Sequence, residues 1–512
     1  MRPIITYGIG LLLWLPGNLP AQRVIYSEPI GARSVLNIQV IGKTEEFYWV
    51  EKRMKPKSRN RNQSGDLIQR FELFDAKLNL LSDIAAIQTP DVMKQWLMAG
   101  KNGLDQVLVT SSGDQTKIIR NCYKTDQQIE SYLTDSLPFL ASPSGLLLVR
   151  SADQSKILLV AFENTETEIT RVHALLFDSD WHPIYHQLIS HEQFSQPCIQ
   201  DEEIGFPGEG FDNLPIKLAN NGEWVMVSPS RISRNFSLFH ACPNGSDYYF
   251  REIPVSPFYK MEDIAMSIDN NLQEMSVGLF SGYRKSTLKN VRVCNYSMTS
   301  GRFVFDTSYH FNTQVRDIQA KNLSHESFVA VPGGGYMLLK EYGHAYEFSK
   351  PSLPVMNNLE TAYLLANYTE TASVKDQLKE GYTLNKGLTP IPYVQNRGDL
   401  NLFYFPAVSR DSTWSGIMEM EQQPEINNPD LSYLLVPIKN KLYIIYNSME
   451  GYSNSLATTT TLNKSGQPTD DALVFWKIKK LLNFQYAHRF ISEEVAVPYK
   501  SNQQSGFAII KP

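Results

Sequence analysis

LSYLLVPIKNKLYIIYN, residues 431–447, contains two apolar runs joined by a polar turn, and similar runs continue to Pro512. The runs of this C-terminal region are Tyr433–Val436, Leu442–Tyr446, Leu456–Leu462, Leu473–Trp476, Val495–Val497 and Phe507–Ile510. Short runs rich in Val, Ile, Tyr, Phe and Thr and bounded by Asn, Gly, Pro and Ser predict β-strands. The rest of the chain repeats this pattern, which predicts an all-β fold.

One hairpin recurs along the chain, with a polar turn between two apolar runs. Its turns are at Asp75, Lys124, Asp178, Pro243, Met298 and Asn463. Asp, Asn and Gly suit the tight reversal between antiparallel strands. A second pair of apolar runs precedes each such hairpin, so each unit contains four strands in up-and-down order. Most neighbouring turns are 49 to 65 residues apart.

Four-stranded units at this period predict a single β-propeller. One unit cannot bury both of its faces, so the units pack as blades around an axis. Seven blades are expected at residues 37–84, 93–138, 144–190, 212–255, 262–311, 326–422 and 431–480. The terminal hairpin Glu494–Ile510 is expected to pair with strands near Val24–Val40. This pairing of the N- and C-terminal strands closes the ring and, in the alternative count, adds an eighth blade.

The N-terminal residues Met1–Ala21 predict a signal peptide. Arg2 precedes the apolar segment Ile4–Leu15, and small and helix-breaking residues follow it. The segment is shorter than the roughly 20 residues that a membrane-spanning helix needs. No later segment approaches that length. The predicted organisation is therefore a signal peptide at 1–21 and a β-propeller domain at 22–512, in a secreted protein that is periplasmic, extracellular or associated with the cell surface.

Composition and charge narrow the classes of partner. Hydrophobic residues make up 42% and aromatic residues 11% of the chain, enough for a substantial core. The net charge of -5 is mild, which argues against nucleic acid or anionic lipid as a partner. The basic run Lys52–Arg61 lies in a stretch rich in Pro, Ser and Asn, and we interpret it as a solvated loop.

The four cysteines are far apart in the sequence and form no metal-binding pair. They are Cys122, Cys198, Cys242 and Cys294. An oxidising compartment permits one or two disulfides, with three connectivities if both form. Three of the cysteines fall near the end of an apolar run, so small buried hydrophobic residues are an equally good interpretation.

The sixth unit differs from the others because a long segment separates its two hairpins. This segment, Tyr342–Arg397, is rich in Tyr, Thr, Asn and Pro and has no clear periodicity. Long insertions on a regular scaffold are frequent sites of binding loops, although a flap that covers a sheet edge is an equally good interpretation. The Gly-rich connection Gln200–Asn213 is the second candidate for a functional loop. Within it, Glu202–Glu203, beside Gly205–Asn213, is a weak candidate for a glycosidase-like carboxylate pair.

The C-terminal part of the chain resembles a known group of proteins. The relevant stretches are GGYMLLKE at 334–341, DLNLFYFP at 399–406, Trp414, Glu421–Gln422 and LSYLLVPIKNKLYIIYN at 431–447. Together with the signal peptide, they are similar to uncharacterised secreted proteins of Bacteroidota with propeller-like folds, over residues 326–512. The resemblance implies a repeat β fold and export. It implies no activity and no catalytic residues, and this chain has Asn447–Ser448 where the group often has an Asn-Asp pair.

The sequence has no complete phosphate-binding loop of the form Gly-x-x-x-x-Gly-Lys-Ser/Thr, because Gly42-Lys43-Thr44 is preceded by Asn37 where the first glycine would stand. It also has no Gly-x-Ser-x-Gly elbow and no His-Glu-x-x-His helix. The densest histidine cluster is His182, His186 and His191, with Glu192 beside the last. Histidines four apart in a strand stand roughly 13 Å apart, which favours surface and inter-blade positions over a metal site. Ser409, Asp411 and Trp414 are similar to the Asp-box turn of sialidase-type propellers but lack its central glycine, so we interpret them as a polar hairpin turn. No catalytic, cofactor-binding or metal-binding residue is assigned, and no cofactor is expected.

Two function classes stay open. The first is an exported, non-enzymatic binding or scaffold propeller that recognises a protein, peptide or glycan through its loops. The abundance of Tyr, 26 residues, and of Asn suits adaptable binding surfaces. The alternative is a secreted carbohydrate-active hydrolase or lyase with acidic residues at the mouth of the channel. Two or three carboxylates and an aromatic residue in one deep axial pocket would favour the enzyme.

Overall fold

The computed structural model describes residues 23–28, 30–31, 35–54, 68–89, 91–142, 145–164, 169–190, 216–229, 235–244, 247–254, 260–284, 287–310, 326–330, 336–346, 394–405, 414–418, 433–438, 441–449, 455–462, 468–478, 481–482, 487–490, 494–501 and 504–511. These residues form strands, turns and bends, with no α-helix among them. Within these ranges, no helix is long and apolar enough to cross a membrane. The predicted signal peptide lies outside them.

Seven consecutive sheets each contain four antiparallel strands in chain order, and we call them blades 1 to 7. The strands of blades 1 to 4 are Val35–Thr44, Phe47–Met54, Ile68–Phe74 and Leu80–Ala85; Val92–Gly100, Gly103–Ser112, Gln115–Lys124 and Ile129–Leu137; Leu146–Arg150, Lys156–Asn164, Ile169–Asp178 and Pro183–Ile189; and Ile216–Leu218, Trp224–Pro229, Phe236–Ala241 and Tyr248–Ile253. Those of blades 5 to 7 are Lys260–Asp269, Glu274–Arg284, Thr287–Ser297 and Arg302–His310; Glu326–Ala330, Tyr336–Tyr346, Val394–Phe405 and Trp414–Met418; and Tyr433–Ile438, Lys441–Met449, Ser455–Leu462 and Pro468–Ile478. Each blade begins and ends within four residues of its predicted bounds.

An eighth sheet joins the two ends of the described chain. Its hairpin, Val495–Ser501 and Gln504–Lys511, pairs on one side with Arg23–Tyr26 and Ile30–Gly31. On its other side it pairs with the short strands Leu481–Leu482 and His488–Arg489. The predicted pairing of the terminal strands is therefore confirmed. The described strands give eight sheets rather than seven, and the part of the predicted N-terminal partner from Val35 onward belongs to blade 1 instead.

The first strand of each blade lies on the inner side of the ring. First strands of neighbouring blades contact one another, as Val35–Thr44 does with Val92–Gly100, and Lys260–Asp269 does with Glu326–Ala330. Near the end of its strand, Gly42 faces Ala99 so closely that an added Cβ would lie 2.4 Å from the Ala99 Cβ. Glycine is thus needed where these two inner strands converge.

The middle strands of each blade are buried on both faces, which explains their uninterrupted apolar runs. In the run ILLVAF, Ile157, Leu159 and Ala161 pack toward blade 2. The residues that alternate with them, Leu158, Val160 and Phe162, pack toward blade 4. Successive side chains of a strand point to opposite faces, so one strand supplies two inter-blade cores.

Equivalent apolar cores join the other neighbouring blades whose side chains are described. Blade 1 packs against blade 2 through Trp49, Phe71 and Tyr123, and blade 4 packs against blade 5 around Tyr296. The closing sheet packs against blade 1 through Phe507, whose ring lies 5.0 Å from that of Phe74. It also packs against blade 7. A ring of radial four-stranded sheets with inter-blade cores and a terminal closing sheet is a β-propeller.

Candidate functional site

The up-and-down strand order assigns the connections to two faces of the ring. Turns between strands 1 and 2 and between strands 3 and 4 lie on one face, which we call the short-turn face. Connections between strands 2 and 3 and from one blade to the next lie on the opposite face, the long-connection face. Five of the six predicted hairpin turns, from Asp75 to Met298, connect strands 3 and 4 and so belong to the short-turn face, while Asn463 lies outside the described residues.

Both predicted functional loops belong to the long-connection face. The strands of blade 6 extend further into Tyr342–Arg397 than predicted, and the pair Tyr346↔Val394 marks where they end. The remaining segment 347–393 lies outside the described residues. So do Gln200–Asn213 and Glu202–Glu203, which fall in the connection from blade 3 to blade 4.

The short-turn face is cross-linked from blade to blade by hydrogen bonds. In blades 1 to 3, Thr44 Oγ1 donates to the Gly100 carbonyl at 2.9 Å, and Arg150 Nη1 donates to the Ala99 carbonyl at 2.7 Å. In the next blades, the backbone N–H of Asp153 donates to Asn220 Oδ1 at 3.2 Å, and that of Asn220 donates to Asn270 Oδ1 at 2.8 Å. These bonds join the turns between strands 1 and 2 of five consecutive blades.

The turns between strands 3 and 4 add apolar contacts to this face. Asp178 Oδ1 accepts the backbone N–H groups of Asp180 and His182, each at 2.9 Å, as an Asp at the start of a tight turn does. The turn places Trp181 at a φ of 67° with its side chain buried in the core between blades 2 and 3. Leu78 has the same role at a φ of 64° in blade 1.

A cavity of about 340 Å³ opens on the short-turn face where the first strands of blades 1, 2 and 3 end. Its lining contains three cations and two carboxylates and no aromatic side chain. The lining residues are Lys43, Thr44, Glu45, Ala99, Gly100, Lys101, Arg150, Asp153, Gln154, Ser155 and Ser179. The sequence analysis did not identify this site. Alignment of the three units would have shown the signal, because Lys43, Lys101 and Arg150 all fall at the end of a first strand.

Arg150 is the most unusual residue of the cavity. Its Nη1 donates to a backbone carbonyl, its buried Nε has no hydrogen-bond partner, and it forms no ion pair with the described carboxylates. Burial lowers the pKa of Arg150 to about 10, although the nearby charges of Asp105 and Asp153 act in the opposite direction. The guanidinium stays charged at neutral pH but is incompletely solvated.

The two carboxylates near Arg150 are already hydrogen-bonded. Asp105 is buried, and it accepts from Arg120 Nε at 2.8 Å and from Trp181 Nε1 at 3.0 Å, which links blade 2 to blade 3. Asp153 Oδ1 accepts from the Ser151 hydroxyl at 2.7 Å and from a backbone N–H. Neither carboxylate is positioned as a hydrogen-bonding partner for Arg150.

Glu494 fastens the closing sheet to blade 1 on the same face. It accepts hydrogen bonds from Lys43 Nζ and Tyr48 Oη, both at 2.9 Å, and from Lys511. Burial by itself would raise the pKa of Glu494, but these three donors outweigh it and lower the pKa to about 2. The carboxylate is therefore ionised over the whole physiological pH range, and it is the ion-pair partner of Lys43.

The predicted histidine cluster is dispersed. His182 is exposed, with Nδ1 3.1 Å from Asp178 Oδ2, while His186 Nε2 lies 3.2 Å from Nδ1 of the buried His173. His191 and Glu192 lie outside the described residues, as do Ser409 and Asp411. Among the residues that are described, no group of three or more His, Cys, Asp or Glu side chains could hold a metal ion. Trp414 begins the last strand of blade 6.

The structure also bears on the interpretations of the cysteines and of the basic run. Cys122, Cys242 and Cys294 are free thiols, and burial raises the pKa of Cys122 to about 11 and that of Cys294 to about 12, so both are unreactive. Cys198 lies outside the described residues. The assignment of the whole basic run to a solvated loop is wrong at its start, because Lys52 lies in a strand, is buried and pairs with Glu72.

The similarity of this chain to known proteins is limited to its fold. No protein-family model matches the sequence, and no curated protein matches it. The Dos1 propeller is 9% identical, with 95% of this chain and 94% of that one covered at a TM-score of 0.42. The β-propeller domain of the Trilobed protease from Pyrococcus furiosus is 8% identical, with 82% and 94% covered at a TM-score of 0.34. The chain is a β-propeller by its own strand order and ring closure.

Proposed function

We propose that this propeller is an exported, non-enzymatic binding or scaffold protein that recognises a protein, peptide or glycan partner through its long-connection face. The difference in connection length between the two faces carries this proposal. Connections longer than ten residues between described strands all leave the long-connection face, at 55–67, 190–215, 311–325, 347–393 and 419–432. Long connections on a rigid scaffold are common carriers of recognition.

The chemistry of the short-turn face supports binding over the alternative, a secreted carbohydrate-active hydrolase or lyase. Glycoside hydrolysis ordinarily needs two carboxylates that flank the scissile bond, one of them with a raised pKa. In the cavity, Glu45 and Asp153 are exposed, and the pKa of Asp153 is lowered because hydrogen bonds from Ser151 and Ser155 outweigh its partial burial. Three cations also line the cavity.

Export is part of the proposal. It is supported by the signal-peptide pattern of Met1–Ala21 and by the resemblance of residues 326–512 to secreted proteins of Bacteroidota. Intact-mass measurement of the protein purified from periplasm or medium should give a chain that begins at Gln22. A full-length chain recovered only from the cytoplasm would contradict export.

A glycan and peptide array, probed with the purified protein, tests the binding function. The matched variant carries a Gly/Ser linker in place of segment 347–393, and its control carries such a linker in place of 406–413, which connects strands 3 and 4 of the same blade on the short-turn face. We expect the wild-type protein to bind ligands on the array. The first replacement should abolish this binding, and the control should keep it. A parallel assay for release of reducing sugar from the bound glycans should stay at background, and sustained release would show that the protein is the alternative enzyme.

A further inference from the structure

Arg150 lies in the wall of the cavity and forms no ion pair with the carboxylates of the described residues. Removing a guanidinium from water is costly unless charged or well-aligned acceptors replace the lost solvation. Arg150 has one carbonyl acceptor, at 2.7 Å, and its Nε has none. The other cations of the cavity differ from it, since Lys43 is paired with Glu494 and Lys101 is exposed at a turn. Because Nε is enclosed, an anion in the cavity would relieve the deficit by pairing with the charge of the guanidinium and not by bonding to Nε.

The charge of the lining restricts which anion fits. Lys43, Lys101 and Arg150 oppose Glu45 and Asp153. Glu494, which pairs with Lys43, is balanced by Lys511, so the excess is a single positive charge. A dianion such as phosphate would meet repulsion from both carboxylates, whereas a singly charged carboxylate matches the excess. A carboxylate is also the planar group that a guanidinium recognises best.

The remaining lining selects for polar ligands. Ser155, Ser179 and Gln154 offer hydroxyl and amide groups beside the cations, while Glu45 and Asp153 can accept hydrogen bonds from ligand hydroxyls. The volume of about 340 Å³ is at the small end of ligand pockets, which suits a single sugar-sized molecule. We propose that this cavity binds a small hydroxylated carboxylate, of the class of the uronic acids, with Arg150 holding the carboxylate.

This site is separate from the proposed binding function because it lies on the opposite face of the ring. Calorimetric titration of the full-length secreted protein tests it, with D-glucuronate as the probe. D-Glucose tests the need for the carboxylate, and inorganic phosphate tests the preference for a single charge. We expect glucuronate to bind, glucose to bind at least about tenfold more weakly, and phosphate to compete poorly.

Variants assign the binding to the cavity. Arg150→Gln should weaken glucuronate binding about tenfold or more, Arg150→Lys should weaken it less, and Lys101→Gln should weaken it severalfold. Lys77→Gln is the matched control, because Lys77 is an exposed lysine on the same face outside the cavity, and it should leave binding unchanged. Thermal melting of each variant separates lost binding from lost folding, and Lys101→Gln keeps the test valid if Arg150→Gln does not fold.

Three outcomes would overturn the proposal. The first is absence of glucuronate binding by the wild-type protein. The second is equal binding by wild type, Arg150→Gln and Lys101→Gln, which would place the ligand elsewhere. The third is phosphate binding as tight as that of glucuronate, which would show that the cavity does not select for a monoanionic carboxylate.

Discussion

The two faces of this propeller differ in the length of the connections that they carry. On the short-turn face, hydrogen bonds join the turns of blades 1 to 5, and buried side chains such as Trp181 and Leu78 close the gaps between blades. The long-connection face instead carries every connection longer than ten residues between described strands. One face therefore maintains the contacts between blades, whereas the other carries the long connections that we propose recognise a partner.

If this division is right, substitutions on the short-turn face should cost stability, and substitutions in the long connections should cost recognition. Denaturant titration measures the first of these costs as a change in the free energy of unfolding.

Trp224→Ala should have the largest effect. Trp224 begins the second strand of blade 4 directly after a short turn, is fully buried between blades 3 and 4, and packs 4.7 Å from the Phe239 ring. Truncation of a buried aromatic side chain costs about 3–5 kcal/mol through lost burial and the cavity it leaves. Urea unfolding followed by circular dichroism should show this loss.

Trp224→Phe separates packing from hydrogen bonding at the same site. It keeps most of the apolar volume but removes the bond from Trp224 Nε1 to Tyr185 Oη, which measures 3.0 Å. We expect a loss of about 1–3 kcal/mol, because the buried hydroxyl loses one partner. If both variants unfold like the wild type, the inter-blade core on this face does not hold the ring.

The pH dependence of Glu494 should have the next largest effect. Its pKa in the folded protein, about 2, lies below its ordinary value of 4.5, so its contribution is fully present above about pH 4.5 and is lost as the pH falls toward 2. At pH 7, Glu494→Gln should lower stability by about 1–2 kcal/mol, since solvent and salt screen part of the ion-pair energy. The difference from wild type should shrink to nearly zero near pH 2.

Glu45→Gln is the matched control for this titration, because Glu45 is exposed on the same face and forms no ion pair with the other described residues. It should change stability by less than about 0.5 kcal/mol at either pH. A pH-independent cost of Glu494→Gln would show that the carboxylate acts by its shape and not by its charge.

Much of this division was predictable from the sequence. Polar turns such as Asp75 and Asp178, spaced by one unit, predicted the hairpins of the short-turn face because a tight reversal needs particular residues. The runs around Leu158 predicted strands because both faces of a middle strand are buried. These signals are local, and each can be recognised within a single four-stranded unit of the sequence.

The candidate cavity was not predictable in the same way. It depends on Arg150 lacking a partner, and the absence of a counter-ion cannot be read from a sequence in which acidic residues are abundant. Lys52 shows the same limit, since its burial follows from pairing with Glu72, 20 residues away in the chain and on the adjacent strand. Long-range charge pairing leaves no periodic signal.

Asn270→Ala tests the hydrogen-bonded turns themselves and should have a smaller effect. It removes the acceptor of the 2.8 Å bond that joins the turn of blade 4 to that of blade 5. Loss of one such bond costs about 0.5–1.5 kcal/mol. Asn271→Ala, in the same turn but exposed, is the control and should stay within about 0.5 kcal/mol of wild type. Equal effects in the two variants would mean that the turn-to-turn bond adds nothing to the ring.

The smallest effect on stability should come from the variant that replaces the most residues, those of segment 347–393. Replacement of segment 347–393 by a Gly/Ser linker about half as long leaves the strand pair Tyr346↔Val394 intact and shortens only the loop that it closes. Halving a flexible loop changes its closure free energy by only about 0.6 kcal/mol, in the stabilising direction, so the unfolding midpoint should hardly move while partner binding is lost. A loss of several kcal/mol would instead place this segment in the core of the ring. The distinction between a face that maintains the fold and a face that recognises a partner would then fail, because both faces would carry structural contacts.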